Sequence, residues 1–140
     1  MIRKIAFLAL LSLILSAGTV YPADIEKEKA AVSSAENWLK MIDEEKYAES
    51  WKDSAELFRN TVTQEQWVQS LQGVRKPLGR LLSRTVKSKT YTTSLPGAPD
   101  GEYVVIEFST SFEKKKSAVE TATPVKDKDG KWRVSGYYIK

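Results

Sequence analysis

The chain has 140 residues, a formal net charge of +4, and neither cysteine nor histidine. This composition excludes disulfide bonds, the ordinary zinc sites and every hydrolytic mechanism in which histidine acts as the base. The length fits one domain, the mild positive charge does not indicate a nucleic-acid partner, and we expect no metal or other cofactor.

The beginning of the chain has the order of a secretory signal peptide. Two basic residues precede the apolar stretch 5–15, and small residues follow it. The stretch is shorter than the roughly 20 residues that a permanent membrane span needs. We therefore predict a signal peptide over residues 1–23, one domain over residues 24–140, and no stable membrane insertion after cleavage. Cleavage after Gly18 or after Ala23 both stay open, and a retained anchor is the rival interpretation.

The first half of the predicted domain has the apolar spacing of helices. Apolar residues recur every three or four positions in residues 32–42 and again in residues 47–62, which predicts two helices. Residues 63–66 have the form of a capping box, so a third helix should begin there. Pro77 and Gly79 should end it, because proline disfavours helical geometry in the preceding residue and glycine suits the turn that follows.

The second half has an apolar period of two, which is typical of strands. The sequence predicts strands over residues 82–93, 103–112, 117–126 and 132–139. The second strand should bury its even-numbered positions, and the lysines at 114–116 should form a solvated turn. Asp127-Lys128-Asp129-Gly130 is predicted as a hairpin turn. A calcium loop is the less favoured alternative, because Gly136 stands where that loop needs a glutamate.

The order of these elements favours an α+β fold. Three helices would pack on a curved, cone-like sheet of four antiparallel strands. A parallel sheet would need helices between its strands, and no helical period follows Gly79.

Several motifs of the predicted domain are distinctive in combination. They are Trp38-Leu39 with Asp43, Tyr47 with Ser50-Trp51, Trp67, Arg75 to Gly79, the proline-glycine segment 95–103, and the ending 129–139 with its Trp-Arg-Val and Gly-Tyr-Tyr. In this order they resemble the bacterial exported proteins grouped as domain of unknown function 4019. The resemblance implies a periplasmic or secreted protein, and it implies no activity. The order of elements is also similar to nuclear transport factor 2-like and cystatin-like architectures, in topology only.

Five strand residues are the candidate binding residues. They are Arg84, Tyr103, Glu107, Arg133 and Tyr137. Charged residues are less expected inside strands than in loops, yet Arg84, Glu107, Glu120 and Arg133 all fall there. On one face of the sheet these four could form an ion-paired cluster within a hollow that holds an acid or another polar ligand. The alternative is that each is a solvated residue or a structural ion pair, because antiparallel sheets commonly leave one face in water.

These observations predict a non-catalytic domain of the cell envelope that binds a small ligand or an envelope protein. One alternative is a hydrolase or isomerase with Glu107 or Glu120 as general base, and another is a structural protein that self-associates through its sheet. The oligomeric state stays open. Lys87, Lys89 and the lysines at 114–116 could contact anionic lipid or cell-wall polymer, although protection of a strand edge is the simpler explanation.

Overall fold

The structure, a computed structural model, describes residues 21–140. The predicted signal peptide, apart from residues 21–23, lies outside this range. The helices are α1 (Pro22–Asp43), α2 (Tyr47–Lys52), α3 (Glu56–Thr61) and α4 (Gln64–Val74), followed by a 3₁₀ turn at Lys76–Leu78. The strands are β1 (Leu81–Thr92), β2 (Tyr103–Phe112), β3 (Lys115–Lys126) and β4 (Trp132–Ile139). Within residues 21–140, no helix has the length and apolar character needed to cross a membrane.

The four strands form one open antiparallel sheet in the order β1-β2-β3-β4. The predicted α+β class, with helices first and an antiparallel sheet second, is confirmed. The even-numbered positions of β2, such as Val104, Ile106 and Phe108, are buried, as their alternation predicted. The turn before β3 is shorter than expected, because Lys115 and Lys116 belong to the strand.

The prediction of one helix over residues 47–62 is wrong. The chain forms two short helices there, and Ala55 between them has extended backbone. The break has a tertiary cause, because the Ala55 amide donates a hydrogen bond to the Val134 carbonyl of β4 at 2.8 Å. A continuous helix would use that amide internally. The described residues therefore contain four α-helices where the sequence predicted three.

The third predicted helix begins and ends as its sequence indicates. The Thr63 hydroxyl accepts from the Gln66 amide at 3.1 Å, and the Gln66 side chain accepts from the Thr63 amide at 3.0 Å, which completes the capping box. Gly79 has a φ of 78°, a left-handed conformation that favours glycine. A Cβ atom at Gly79 would also approach Glu113 Oε1 to 2.9 Å.

Apolar side chains fill the space between the helices and the sheet. Trp38 of α1 stacks on Trp67 of α4 with 5.7 Å between ring centroids, and both pack with Leu39, Ile42 and Phe108. The sequence suggested a binding hollow on the concave face of the sheet and left open whether side chains fill it. The face is a packed core, and the concavities lie at its margins.

Candidate functional site

Six polar side chains meet inside this core. They are Asp43 at the end of α1, Arg75 just after α4, Arg84 on β1, Thr110 on β2, Glu120 on β3 and Tyr137 on β4. We call these six residues the buried cluster. Its two carboxylates balance its two guanidinium groups, so the cluster has no net charge. Each member comes from a different part of the chain, so the cluster ties the helices to every strand.

Glu120 lies at the centre of the buried cluster and has no exposed surface. Its Oε1 accepts from Arg84 Nε at 2.7 Å and from Thr110 Oγ1 at 2.6 Å. Its Oε2 accepts from Arg84 Nη2 at 3.2 Å and from the Tyr137 hydroxyl. Both carboxylate oxygens are therefore occupied by donors, which offsets the cost of burying a charged group.

Asp43 joins the two arginines of the cluster. Arg84 donates to both of its oxygens, at 2.7 Å and 3.0 Å, and Arg75 Nη2 donates to Oδ1 at 3.3 Å. Arg75 also donates to the Gly79 carbonyl at 2.6 Å, and its guanidinium carbon lies 4.4 Å from the centre of the Phe112 ring. These contacts hold the ends of α1 and α4 against β1 and β2.

The surroundings fix the protonation states of two members. Burial alone would lower the pKa of Arg84, but its hydrogen bonds to Asp43 and Glu120 outweigh that effect and raise the pKa. The pKa of Tyr137 is raised well above 10.0, first by burial and then by the negative charge of Glu120. Arg84 therefore stays charged, and Tyr137 keeps the proton that it donates to Glu120.

The structure brings together two of the five predicted binding residues. Arg84 and Tyr137 meet at Glu120, which the sequence indicated both as a possible general base and as a possible member of an ion-paired cluster with Arg84. Their meeting place is the interior of the protein. Their role in binding stays a prediction.

The other three predicted residues lie apart from the buried cluster. Tyr103 is buried beneath the loop before β2 and donates to the Pro99 carbonyl at 2.6 Å. Glu107 is half-buried and accepts from the Ser88 hydroxyl at 2.9 Å. Arg133 pairs with two aspartates of its own hairpin, at 3.0 Å and 2.8 Å. The five residues do not form a single site.

Three members of the cluster were missed by the sequence argument, and each carries a recognisable signal. Asp43 stands four residues after Leu39, and Arg75 stands four residues after Leu71, so both continue an apolar stripe onto the buried side of a helix. Thr110 occupies an even-numbered position of β2, which the alternation assigns to the core. A polar residue on a buried stripe needs a partner, and that requirement indicates such a cluster.

An apolar groove of about 210 Å³ lies beside the cluster, between α4 and β4. It is lined by Trp67, Ser70, Leu71 and Val74 of the helix and by Tyr137, Tyr138 and Ile139 of the strand. We call it the edge groove. Val74 and Tyr138 are 59% and 56% exposed, which is high for apolar residues in one small area. Tyr137 belongs to both features, because its ring lines the groove and its hydroxyl enters the cluster.

The first half of β4 is closed on its outer edge. The Trp132 carbonyl accepts from the Ser34 hydroxyl at 2.6 Å, and the Val134 carbonyl accepts from the Ala55 amide at 2.8 Å. Helices α1 and α3 therefore cover the part of this edge that a further strand could otherwise use.

The second half of β4 presents free main-chain groups. Lys140 exchanges two hydrogen bonds with Val119 of β3, at 3.1 Å and 2.9 Å, so its main-chain groups face the sheet. Because these directions alternate along an antiparallel strand, the N–H and C=O groups of Ile139 and Tyr137 face outward. Within residues 21–140, no hydrogen bond closes these groups. They lie along the edge groove.

A second concavity, of about 220 Å³, lies at the outer end of the cluster near Asp43 and Arg75. Its rim charges are already paired, Lys76 with Glu45 at 3.5 Å and Arg80 with Glu113 at 3.3 Å. Among the residues that the structure describes, no group of three or more potential ligands is placed to hold a metal ion.

The fold and the buried cluster define a small α+β domain with helices on one face of an antiparallel sheet and an ion-pair cluster between the two layers. The family model described as "Protein of unknown function (DUF4019)" matches residues 34–137, and the chain belongs to that family. The resemblance seen in the sequence is thereby confirmed. The match spans every member of the buried cluster. No curated protein matches the chain.

Proposed function

We propose that this protein is an exported, non-catalytic domain of the cell envelope that binds an extended segment of a partner protein along the free half of β4. One observation carries the proposal: the outward main-chain groups of Tyr137 and Ile139 lie beside the apolar edge groove. Export is supported by the order of charged, apolar and small residues at the start of the chain.

A partner segment would extend the sheet by one strand. Its main chain would pair with Tyr137 and Ile139, and every second side chain would enter the groove. Trp67 and Val74 are seven positions apart on α4, or about 10 Å along the helix axis. Alternate side chains of a strand are about 7 Å apart, so the groove has room for two of them. The proposed occupant is therefore an extended peptide with apolar residues at two alternate positions.

The buried cluster would prepare the groove for this role. Glu120 fixes the hydroxyl of Tyr137, and the Tyr137 ring packs edge-on against Trp38 and Trp67 at centroid distances of 5.4 Å and 6.4 Å. A groove wall that is already ordered loses little conformational entropy when a ligand binds. Arg84 contributes indirectly, because it binds the Glu120 carboxylate, which in turn accepts the hydrogen bond of the Tyr137 hydroxyl.

The geometry gives less support to a carboxylate enzyme. A general base needs a free lone pair within reach of a substrate. Both oxygens of Glu120 are occupied, and the residue has no exposed surface. Glu107 lies on the other face of the sheet and is bonded to Ser88. Neither glutamate lines the edge groove or the concavity near Asp43 and Arg75.

The proposal is tested with a pool of short peptides that carry Val, Ile, Leu or Phe at alternate positions with Thr or Ser between them. We expect the pool to shift the amide resonances of Tyr137 and Ile139 and to slow their hydrogen exchange. A pool of the same composition with its apolar residues in one block is the control. Shifts confined to other parts of the protein would contradict the proposal. A second outcome would also contradict the proposal. If the protein alone forms a dimer and both amides are already protected from hydrogen exchange, a second copy of the chain occupies this edge.

A pair of valine substitutions gives the matched test. Val74→Glu places a charge in the edge groove, and burial of that charge under a bound peptide should weaken binding at least roughly tenfold. Val86→Glu makes the same change on β1, away from the groove, and should leave affinity unchanged. Val74 and Val86 are 59% and 40% exposed, so both variants should fold, which circular dichroism checks. Equal affinities of the two variants would rule out the groove as the binding site.

Export makes a separate prediction. The protein expressed in a bacterium should appear in the periplasm or medium with a shortened N-terminus. Mass spectrometry of that terminus distinguishes cleavage after Gly18 from cleavage after Ala23. An uncut chain in the membrane fraction would favour the retained anchor.

A further inference from the structure

The sheet face opposite the helices carries a shallow trough that is rich in hydroxyl groups. The trough has a volume of about 390 Å³ and crosses β1, β2 and β3. It is lined by residues Ser83, Thr85 and Lys87 of β1, Ser109, Thr110 and Ser111 of β2, and Lys116, Ser117, Ala118 and Val119 of β3. We call it the outer trough.

The hydroxyl groups of the outer trough are in register across the strands. Ser83 lies opposite Ser111, and Thr85 lies opposite Ser109. The serines are at odd-numbered positions of β2, whose even-numbered neighbours form the core, so these side chains point away from the helices. Successive hydroxyl pairs are about 7 Å apart along the strands.

The charge of the trough has a single sign. Its described lining contains two lysines, Lys87 and Lys116, and no carboxylate. Among residues 21–140, neither lysine takes part in an ion pair, whereas Lys27, Lys46 and Lys76 all do. The sequence indicated both lysines as possible contacts to anionic lipid or cell-wall polymer, with protection of a strand edge as the simpler explanation. The fold brings them to one concave surface with hydroxyl donors between them.

We propose that the outer trough binds a linear polymer that carries phosphate groups. Phosphate oxygens accept hydrogen bonds from hydroxyl groups and pair with the compact charge of an ammonium group. The registered hydroxyl pairs offer these contacts repeatedly along an extended chain. A bilayer surface fits less well, because proteins that lie on membranes insert large apolar or aromatic side chains. The apolar residues of the described lining are Ala118 and Val119.

This site is independent of the peptide site proposed above. The edge groove lies between α4 and β4 on the helix side, and the outer trough lies on the opposite face of β1 to β3. Both can be filled at once. The domain would then join a segment of a partner protein to an anionic polymer of the envelope.

Long-chain inorganic polyphosphate is the probe, and its affinity for the purified protein is measured by calorimetry at low and high salt. Lys87→Gln with Lys116→Gln should weaken binding roughly tenfold or more at low salt. The matched control is Lys40→Gln with Lys52→Gln, which removes the same charge from two exposed helix residues. The control should lose less than about twofold, because its charges are far from the bound chain. Equal losses in the two variants would show non-specific attraction and overturn the proposal.

A second pair of substitutions leaves the charge unchanged. Thr85→Val with Ser109→Val removes one hydroxyl pair and keeps residues that favour strands, so we expect the fold to persist. Polyphosphate binding should weaken roughly threefold to tenfold. Unchanged affinity would overturn the proposed hydroxyl contacts. The same variants are also tested for binding to vesicles of phosphatidylglycerol. If vesicle binding depends on Lys87 and Lys116 in the same way, the outer trough binds a bilayer surface and not a polymer.

Discussion

Two strand arginines of this protein use the same chemistry for different purposes. Arg84 and Arg133 each pair with two carboxylates, and the sequence predicted both as binding residues within strands. The partners of Arg84 lie 41 and 36 positions away, whereas those of Arg133 lie 6 and 4 positions away. The Asp43 and Glu120 side chains of the first group are 15% and 0% exposed, whereas the Asp127 and Asp129 side chains of the second are 13% and 48% exposed, so only the second group has a partner in water. Arg84 joins distant elements, and Arg133 stabilises a single hairpin.

Burial decides how much each arginine contributes to stability. Loss of one partner from a buried ion pair costs about 3–5 kcal/mol, because the remaining charge is left without compensation in a medium that solvates it poorly. An exposed pair contributes about 0–1 kcal/mol, because water solvates both charges when the pair is broken. The two groups should therefore differ severalfold in their effect on the free energy of unfolding.

The largest expected effect is that of Arg84→Met. Methionine keeps the length of the side chain, but Arg75 then remains as the one guanidinium group for the two carboxylates of the buried cluster. The free energy of unfolding, measured in urea, should fall by about 3–5 kcal/mol. Arg133→Met is the matched control and should lose no more than about 1 kcal/mol. Equal losses would contradict the distinction between the two arginines.

A double-mutant cycle sharpens the same comparison. Glu120→Gln alone leaves Arg84 with one carboxylate partner, and the double variant removes both members of the pair. We expect the double variant to be more stable than the sum of the two losses predicts, by about 1–3 kcal/mol. The corresponding cycle of Arg133→Met with Asp129→Asn should give a coupling near zero. Additive losses at Arg84 and Glu120 would show that the two residues act independently.

Tyr137→Phe should have an intermediate effect. It removes one of the donors to Glu120 and keeps the aromatic packing, so unfolding at neutral pH should become easier by about 1–2 kcal/mol. Tyr138→Phe is the matched control, and its effect should be small because the Tyr138 side chain is largely exposed. If Tyr137→Phe lowers the free energy of unfolding by less than Tyr138→Phe does, the Tyr137 hydroxyl does not contribute to the stability of the buried cluster.

The raised pKa of Tyr137 gives this variant a second signature at high pH. Above pH 10, tyrosine in the unfolded chain loses its proton, whereas Tyr137 in the folded protein keeps it. The stability that depends on this proton is therefore complete below pH 10 and declines as the pH rises. The slope is at most about 1.4 kcal/mol per pH unit. Tyr137→Phe should lack this part of the alkaline decline, and an unchanged slope would contradict the assignment.

The features that the sequence predicted well depend on neighbouring residues. The capping box at Thr63, the turn at Gly79 and the buried face of β2 all follow from local spacing, and local contacts form them. The break at Ala55 could not be predicted in this way, because its cause is a hydrogen bond to Val134 on β4. Long-range contacts override the helical pattern of the intervening segment.

The site was harder to predict, because it depends on which face of the sheet each strand residue occupies. The simple alternation of side chains between the two faces of the sheet is broken at two places. The pairing register shifts in β1 near Val86 and Ser88, and between β3 and β4 near Ala122 and Pro124. One extra residue in a strand reverses the face of every residue beyond it. The positions of Arg84 and Arg133 relative to the helices therefore could not be obtained by counting.

Asp129→Asn, in the exposed hairpin, should have the smallest effect on the free energy of unfolding. The Arg133 side chain, followed by the Lys131 amide, lowers the pKa of Asp129 to about 2 from its ordinary 3.8. A carboxyl group whose pKa is lowered by folding stabilises the protein above its ordinary pKa, and the contribution is lost as the pH falls toward about 2. The variant should therefore be slightly less stable than the wild type near neutrality, and the difference should shrink between pH 4 and pH 2. Unfolding in urea across that range measures this difference, with Asp53→Asn as the control for the loss of an exposed charge.

A difference that persists at pH 2 would mean that Asp129 acts through something other than its charge. A large difference at neutral pH would mean that the hairpin pair, like the buried cluster, contributes substantially to the stability of the whole fold.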